Sequence, residues 1–135
     1  MRKDYTTFVA IGLLLLAGCQ STSEQPPQVA QTAKADSDGV QRVRVVAGSY
    51  FFKPNHIIVK ANVPVELVVA REAGMAPHDL VIDEAGVKQD LSTEPTRISF
   101  TPRKAGRYVI YCSKKPPLLA SHRERGMEGV LEVVP

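Results

Sequence analysis

From residue 41 to the end of the chain, apolar and polar positions alternate in short runs with a period of two. Val43 and Val45 alternate with Arg42 and Arg44, Ile57-Ile58-Val59 follows a break at Pro54-Asn55, and Val65 to Val69 follows Pro64. Further runs cover 78–82, 96–100, 107–112 and 129–134. Successive side chains of a strand point to opposite faces, so this alternation predicts half-buried strands. Turn-forming residues fill the gaps, as at Asp83-Glu84-Ala85-Gly86 and Pro102-Arg103-Lys104-Ala105-Gly106. About seven such β-branched runs predict an all-β fold, an antiparallel β-sandwich around one core. No long 3.6-residue apolar pattern interrupts them, which excludes a helical domain. A single helical turn is expected at Leu118–Ser121.

The amino-terminal part has a different pattern. Arg2 and Lys3 precede the apolar run Phe8–Ala17, which is too short for a permanent membrane span but suits a secretory signal. The run ends in Leu16-Ala17-Gly18-Cys19, which resembles the lipobox of bacterial lipoproteins. That resemblance implies cleavage before Cys19, acylation of its thiol, and a lipid-anchored protein on the periplasmic side of a bacterial cell envelope. Gln20, standing where Asp would direct inner-membrane retention, favours the outer membrane. Residues 20–40 are polar and without an apolar face, which predicts a flexible tether. As a coil it would hold the domain roughly 25 Å from the membrane. The expected organisation is a signal peptide over 1–18, a lipidated Cys19 and tether over 19–40, and one domain over 41–135.

Composition adds exclusions. The 135 residues allow one domain, and 17 basic against 14 acidic residues give a formal charge of +3. That balance, without a recognition motif, argues against nucleic acid as a partner. Of the two cysteines, lipidation of Cys19 leaves Cys112 without an intrachain disulfide partner. An unpaired thiol in an oxidising compartment is a liability unless something such as a metal occupies it.

The segment from Cys112 to Met127 supplies the means. It brings Cys112, His122 and Met127 onto one loop between two strand-like runs. A thiolate, an imidazole and a thioether form a soft donor set that selects copper over calcium or magnesium. His78, at the start of another predicted strand, can supply a second imidazole. Parity places Cys112 on one face with Tyr108 and Ile110, His78 with Leu80 and Ile82, and Met127 with Leu131 and Val133. All three point between the sheets at one end of the sandwich if those strands extend to them. Met75 is a rival thioether, and His56 is expected to be structural or exposed. Within the same loop, Lys114, Lys115, Arg123 and Arg125 outnumber Glu124.

Phe52-Lys53-Pro54-Asn55-His56-Ile57-Ile58-Val59, Val63-Pro64-Val65-Glu66-Leu67, Pro77-His78-Asp79-Leu80 and Tyr111-Cys112…His122…Met127 together resemble the cupredoxin family, the blue-copper electron carriers. The resemblance covers about residues 41–135 and implies a Greek-key β-sandwich. It implies one copper per chain, cycling between Cu(I) and Cu(II), with His78, Cys112 and His122 as ligands and Met127 as the weak axial ligand. Nine residues separate Cys112 from His122, more than in the familiar carriers, and the extra Pro116–Ser121 bears on the axial bond and the potential. A single cysteine in the loop implies a mononuclear centre. The function so implied is one-electron transfer rather than enzymatic catalysis, by a monomer anchored to the membrane through its lipid. Electrons are expected to pass at the edge of His122. Leu118 and Leu119, rimmed by Lys114, Lys115, Arg123 and Arg125, are expected to dock a redox protein with an acidic surface. The alternative is a copper-handling lipoprotein that stores or delivers the ion.

Overall fold

The computed structural model describes residues 29–135. The signal peptide and Cys19 lie outside the described residues, and among the latter no helix is long and apolar enough to cross a membrane.

The described residues form ten strands in two sheets. They are β1 (Ala30–Thr32), β2 (Gln41–Gly48), β3 (Phe51–Lys53), β4 (His56–Lys60), β5 (Val65–Arg71), β6 (His78–Ile82), β7 (Val87–Leu91), β8 (Thr96–Phe100), β9 (Gly106–Tyr111) and β10 (Glu128–Val134). The larger sheet runs β1-β4-β10-β9-β6-β7 and the smaller β3-β2-β5-β8. A single 3-10 turn, Asp83–Ala85, carries β6 into β7, and Gly86 closes it in the left-handed conformation.

The period of two explains the core. Val43, Val45 and Ala47 of β2 and Val65, Leu67 and Val69 of β5 are buried, while Arg44 and Val46 between them face water. Opposite them lie Ile57 and Val59, Leu131 and Val133, Ile110, Leu80 and Ile82 from the larger sheet. This is the expected sandwich, with mixed pairing: β1–β4, β4–β10 and β2–β5 are parallel. In β6 all five residues are buried, because that strand is covered on both faces.

The domain begins before residue 41. β1 pairs with β4, Ala33 is buried, and Ala35 bridges to Gln41. Arg42 holds the intervening turn through Asp36 and Asp38, at 2.8 and 2.6 Å. The polar composition of 30–40 therefore reflects an edge strand and a surface turn, and the expected boundary at 40 moves toward the amino terminus. An edge strand exposes both its faces, so it lacks the alternation that marks the central ones.

Gln41 ties the sheets together at the end remote from Cys112. Its buried side-chain amide donates to the carbonyls of Lys60 and Val63, at 3.2 and 3.3 Å, and accepts from the Lys60 N–H at 2.7 Å. Gln41→Ala is expected to destabilise the domain by roughly 2–4 kcal/mol, since each buried polar group left unpaired costs about 1–3 kcal/mol. Urea unfolding of both proteins measures this.

Candidate metal centre

Strand polarity builds the site. β9 delivers Cys112 to the end at which β10 begins, with Tyr111 opposite Glu128, and β6 begins at the same end with His78. The Nδ1 atoms of His78 and His122 stand 3.1 Å apart. The Cys112 Sγ lies 3.5 Å from the His122 Nδ1 and 4.0 Å from the His78 Nδ1. All three residues are buried, at 5%, 0% and 1% exposure for His78, Cys112 and His122. A circle through the three donor atoms has a radius of about 2.1 Å, close to the length of a metal–imidazole bond. Two imidazoles and a thiol at this spacing fit a copper ion and leave no room for a larger hydrated cation.

The length of the ligand loop leaves this triad intact because the loop is pinched at its base. The His122 N–H donates to the Lys114 carbonyl at 2.9 Å, so residues 115–121 form an excursion whose ends meet. The Met127 N–H donates to the His122 carbonyl at 3.0 Å, and the Cys112 N–H to the Met127 carbonyl at 3.2 Å. Met127 is fully buried in the core cluster next to the triad, whereas Met75 is entirely exposed. Within the excursion, Pro116–Leu119 forms a β-turn with Leu118 at φ +60°, and the helical turn falls later, over His122–Gly126.

His122 does not present an edge to solvent. Tyr50 closes over it edge-on, with ring centroids 5.2 Å apart, and the Arg125 guanidinium lies 4.9 Å from the Tyr50 ring centre and donates to its hydroxyl. The expected exit at His122 is thus covered. A cavity of about 200 Å³ bordered by Ser49, Glu72, Met75 and Ala76 opens instead beside His78.

Asp79 is the residue that the sequence reading passed over. It is 0% exposed. Its carboxylate accepts the Ser113 N–H at 2.6 Å and the Ser113 hydroxyl, and Lys114 Nζ stands 3.8 Å away. Burial pushes this carboxyl up, but the Ser113 hydrogen bonds and Lys114 more than offset that and hold it below its ordinary range. Asp79 thereby fastens the strand carrying His78 to the residue after Cys112. An aspartate beside a ligand was the available signal, but its parity is opposite to that of His78, Leu80 and Ile82. His56 sits half-buried, 2.7 Å from Glu132, as a structural residue.

Burial depresses both imidazoles, aided at His78 by the charges of His122 and Arg71 and at His122 by Arg125. Burial also raises the Cys112 thiol. The metal-free site therefore holds neutral rings beside a protonated thiol near neutral pH. A histidine whose folded pKa lies below its ordinary 6.5 resists a proton that the unfolded chain accepts. Stability is full above that value and falls as the pH drops below it. The metal-free domain is expected to melt at lower temperature at pH ~5.5 than at neutrality, and His78→Gln should flatten the dependence; thermal unfolding against pH checks both.

The four surface cations expected around the loop are largely engaged inside the domain. Lys114 pairs with Asp90, Arg123 pairs with Glu128 at 2.6 Å and lies over Tyr111, and Arg125 is held by Tyr50. Among the described residues, no ion pair engages Lys115. Leu118 and Leu119 are exposed, at 105% and 53%.

A β-sandwich with a buried His-Cys-His cluster at one end defines the class. The chain belongs to the cupredoxin-like domain family, whose pattern its residues 8–120 match. Among solved structures it is similar to the metal-binding domain of the Cu(I)-exporting P-type ATPase CopA of Streptococcus pneumoniae, with 21% identity, 82% of this chain and 100% of that one covered, and a TM-score of 0.65. It is also similar to reduced auracyanin from the photosynthetic bacterium Roseiflexus castenholzii, with 18% identity, 70% and 97% covered, and a TM-score of 0.58. The periplasmic domain of cytochrome oxidase subunit II of Bradyrhizobium japonicum matches at 16% identity, 69% and 83% covered, and a TM-score of 0.55. These likenesses establish the fold. No curated protein matches the chain.

Proposed function

We propose that the chain is a membrane-tethered mononuclear copper protein that passes single electrons between redox partners in the bacterial cell envelope. The observation that carries this reading is the convergence of two Nδ1 atoms and one Sγ in a buried cluster whose atoms lie within 4.8 Å of one another. His78, Cys112 and His122 would hold the ion, and the buried Met127 would be the candidate for a further, weak thioether donor. Copper in such a soft, mixed set supplies a one-electron couple, since neither oxidation state is satisfied completely. The protein's own part is rigidity. The hydrogen bonds from Ser113 to the Asp79 carboxylate, from the His122 N–H to Lys114 and from the Met127 N–H to His122 fix the donors before the ion arrives. The core cluster and Tyr50 cover the triad, whose three residues are buried. An acyl chain on Cys19 would keep the carrier on the periplasmic side, at the outer membrane, within reach of partners there.

A second reading, a copper-handling protein that stores or delivers the ion, is favoured by the cavity beside His78 and the exposed Met75 on its rim. Voltammetry of the copper-loaded chain, run beside transfer to a chelator, separates the two. A reversible one-electron wave with slow chelator exchange supports the carrier. Rapid exchange without a reversible wave supports the handler and contradicts the carrier.

A further inference from the structure

The tip of the ligand loop, Pro117-Leu118-Leu119-Ala120, projects apolar side chains into water. Leu118 does so from φ +60°, a conformation that branched and bulky residues seldom adopt and glycine accepts freely. An apolar side chain is thus held out of the domain against the preference of its own backbone.

Strand direction shows what faces this tip. β1, β4 and β10 are parallel, so Ala30, His56 and Glu128 begin at one end of the sandwich, the end that carries the ligand loop. The Val29 N–H donates to the Asn55 Oδ1 at 2.8 Å, and the Asn55 carbonyl accepts the Val130 N–H at 2.8 Å. β1 is two strands from β10 in the sheet, a lateral distance of about 10 Å. The described chain therefore begins at the end of the sandwich that carries the metal centre and not at the opposite pole. Ten residues lead from Cys19 to Val29, which can span at most ~35 Å.

We propose that the Leu118–Leu119 tip rests in the headgroup region of the membrane that carries the Cys19 lipid. This rests on the lipoprotein reading given above. A lipid surface fits better than a soluble protein for two reasons. Four exposed residues are far from the roughly 800 Å² that each side of a stable protein interface contributes. A tethered contact, in contrast, is intramolecular with the bilayer, so two leucines and a neighbouring cation suffice to hold it. Lys115, free of ion pairs among the described residues, and Arg125, which is held only by Tyr50, suit anionic headgroups.

The chain contains no Trp, so Leu118→Trp introduces a single reporter. The lipidated, copper-free full chain would be reconstituted on vesicles of phosphatidylethanolamine and phosphatidylglycerol carrying a brominated phospholipid. Arg103→Trp, in the turn between β8 and β9 at the other pole, is the reference, and Leu119→Trp repeats the test should position 118 reject the larger ring. The expected result is emission shifted to shorter wavelength and at least about threefold stronger bromine quenching at 118 or 119 than at 103. Equal, weak quenching at both ends on vesicle-bound protein overturns the docking while leaving the anchor intact. A blue shift without bromine quenching means that protein, either a second copy or a neighbour, covers the tip, and also overturns it. A chain whose mass shows no acyl group and which does not float with vesicles overturns the anchor reading itself.

Discussion

Replacing Cys112 by serine is expected to abolish any intense visible absorption of the copper-loaded chain and to lower copper affinity by more than ~100-fold. Loss of an outer-shell partner alone typically costs about 10–100-fold, and here a direct donor is removed. Serine fills nearly the same volume at this fully buried position, and its hydroxyl has the Nδ1 atoms of His78 and His122 nearby as hydrogen-bond partners. The fold should therefore persist, which separates loss of the donor from loss of structure. Competition with a chelator of known affinity, run beside circular dichroism, reads both quantities. Retention of the visible band in Cys112→Ser would mean that the thiolate is not the donor.

Asp79→Ala is expected to produce the largest stability loss of any change near the site, roughly 3–5 kcal/mol, because it strips a buried charge network of its acceptor. For a domain of about 100 residues that corresponds to a fall in melting temperature of about 15 °C or more. Its effect on copper should also be severe, since the Ser113 N–H that follows Cys112 would be left unpaired in a partly buried setting. Asp79→Asn separates charge from hydrogen bonding. The amide still accepts the Ser113 N–H, so most of the stability should remain, while removal of a negative charge near the sulfur favours the less positive, reduced ion. A higher reduction potential in Asp79→Asn than in the parent, measured by voltammetry, is the expected sign. An unchanged melting temperature in Asp79→Ala would show that Ser113 and Lys114 find other partners.

The sandwich and its inward-facing residues were readable because a strand alternates with a strict period of two. Val43, Leu67, Ile110 and Leu131 all fall on the face that parity assigns. The same rule assigned His78, Cys112 and Met127 to one end, and there His78 and Cys112 are found together with the loop residue His122, while Met127 is buried in the core. Where the rule misled, its premise failed. Asp79 has the parity of an outer residue, yet both faces of β6 are buried, and Ser113 and Lys114 engage its carboxylate. The edge of His122 was expected to be open to electron transfer, since nothing in the run Ser121-His122-Arg123 reveals that Tyr50, more than seventy residues earlier, closes over it. The strand at Ala30–Thr32 was hidden by its polar composition, which suits an edge as well as a tether. The four loop cations read as a docking rim because a sequence does not display their partners. Asp90 and Glu128 reach Lys114 and Arg123 only in the folded domain. The loop itself was legible in its donors and not in its closure, for the pinch between Lys114 and His122 uses backbone atoms that carry no sequence signature.

The central claim is that Cys112, His78 and His122 hold one copper ion with the thiolate as a donor, and optical titration of the metal-free chain with Cu(II) tests it most directly. The account predicts an intense visible sulfur-to-copper charge-transfer band that grows linearly and stops at one equivalent, and that disappears reversibly on reduction. A faint band of ordinary ligand-field strength, or one that keeps growing past one equivalent, would contradict it.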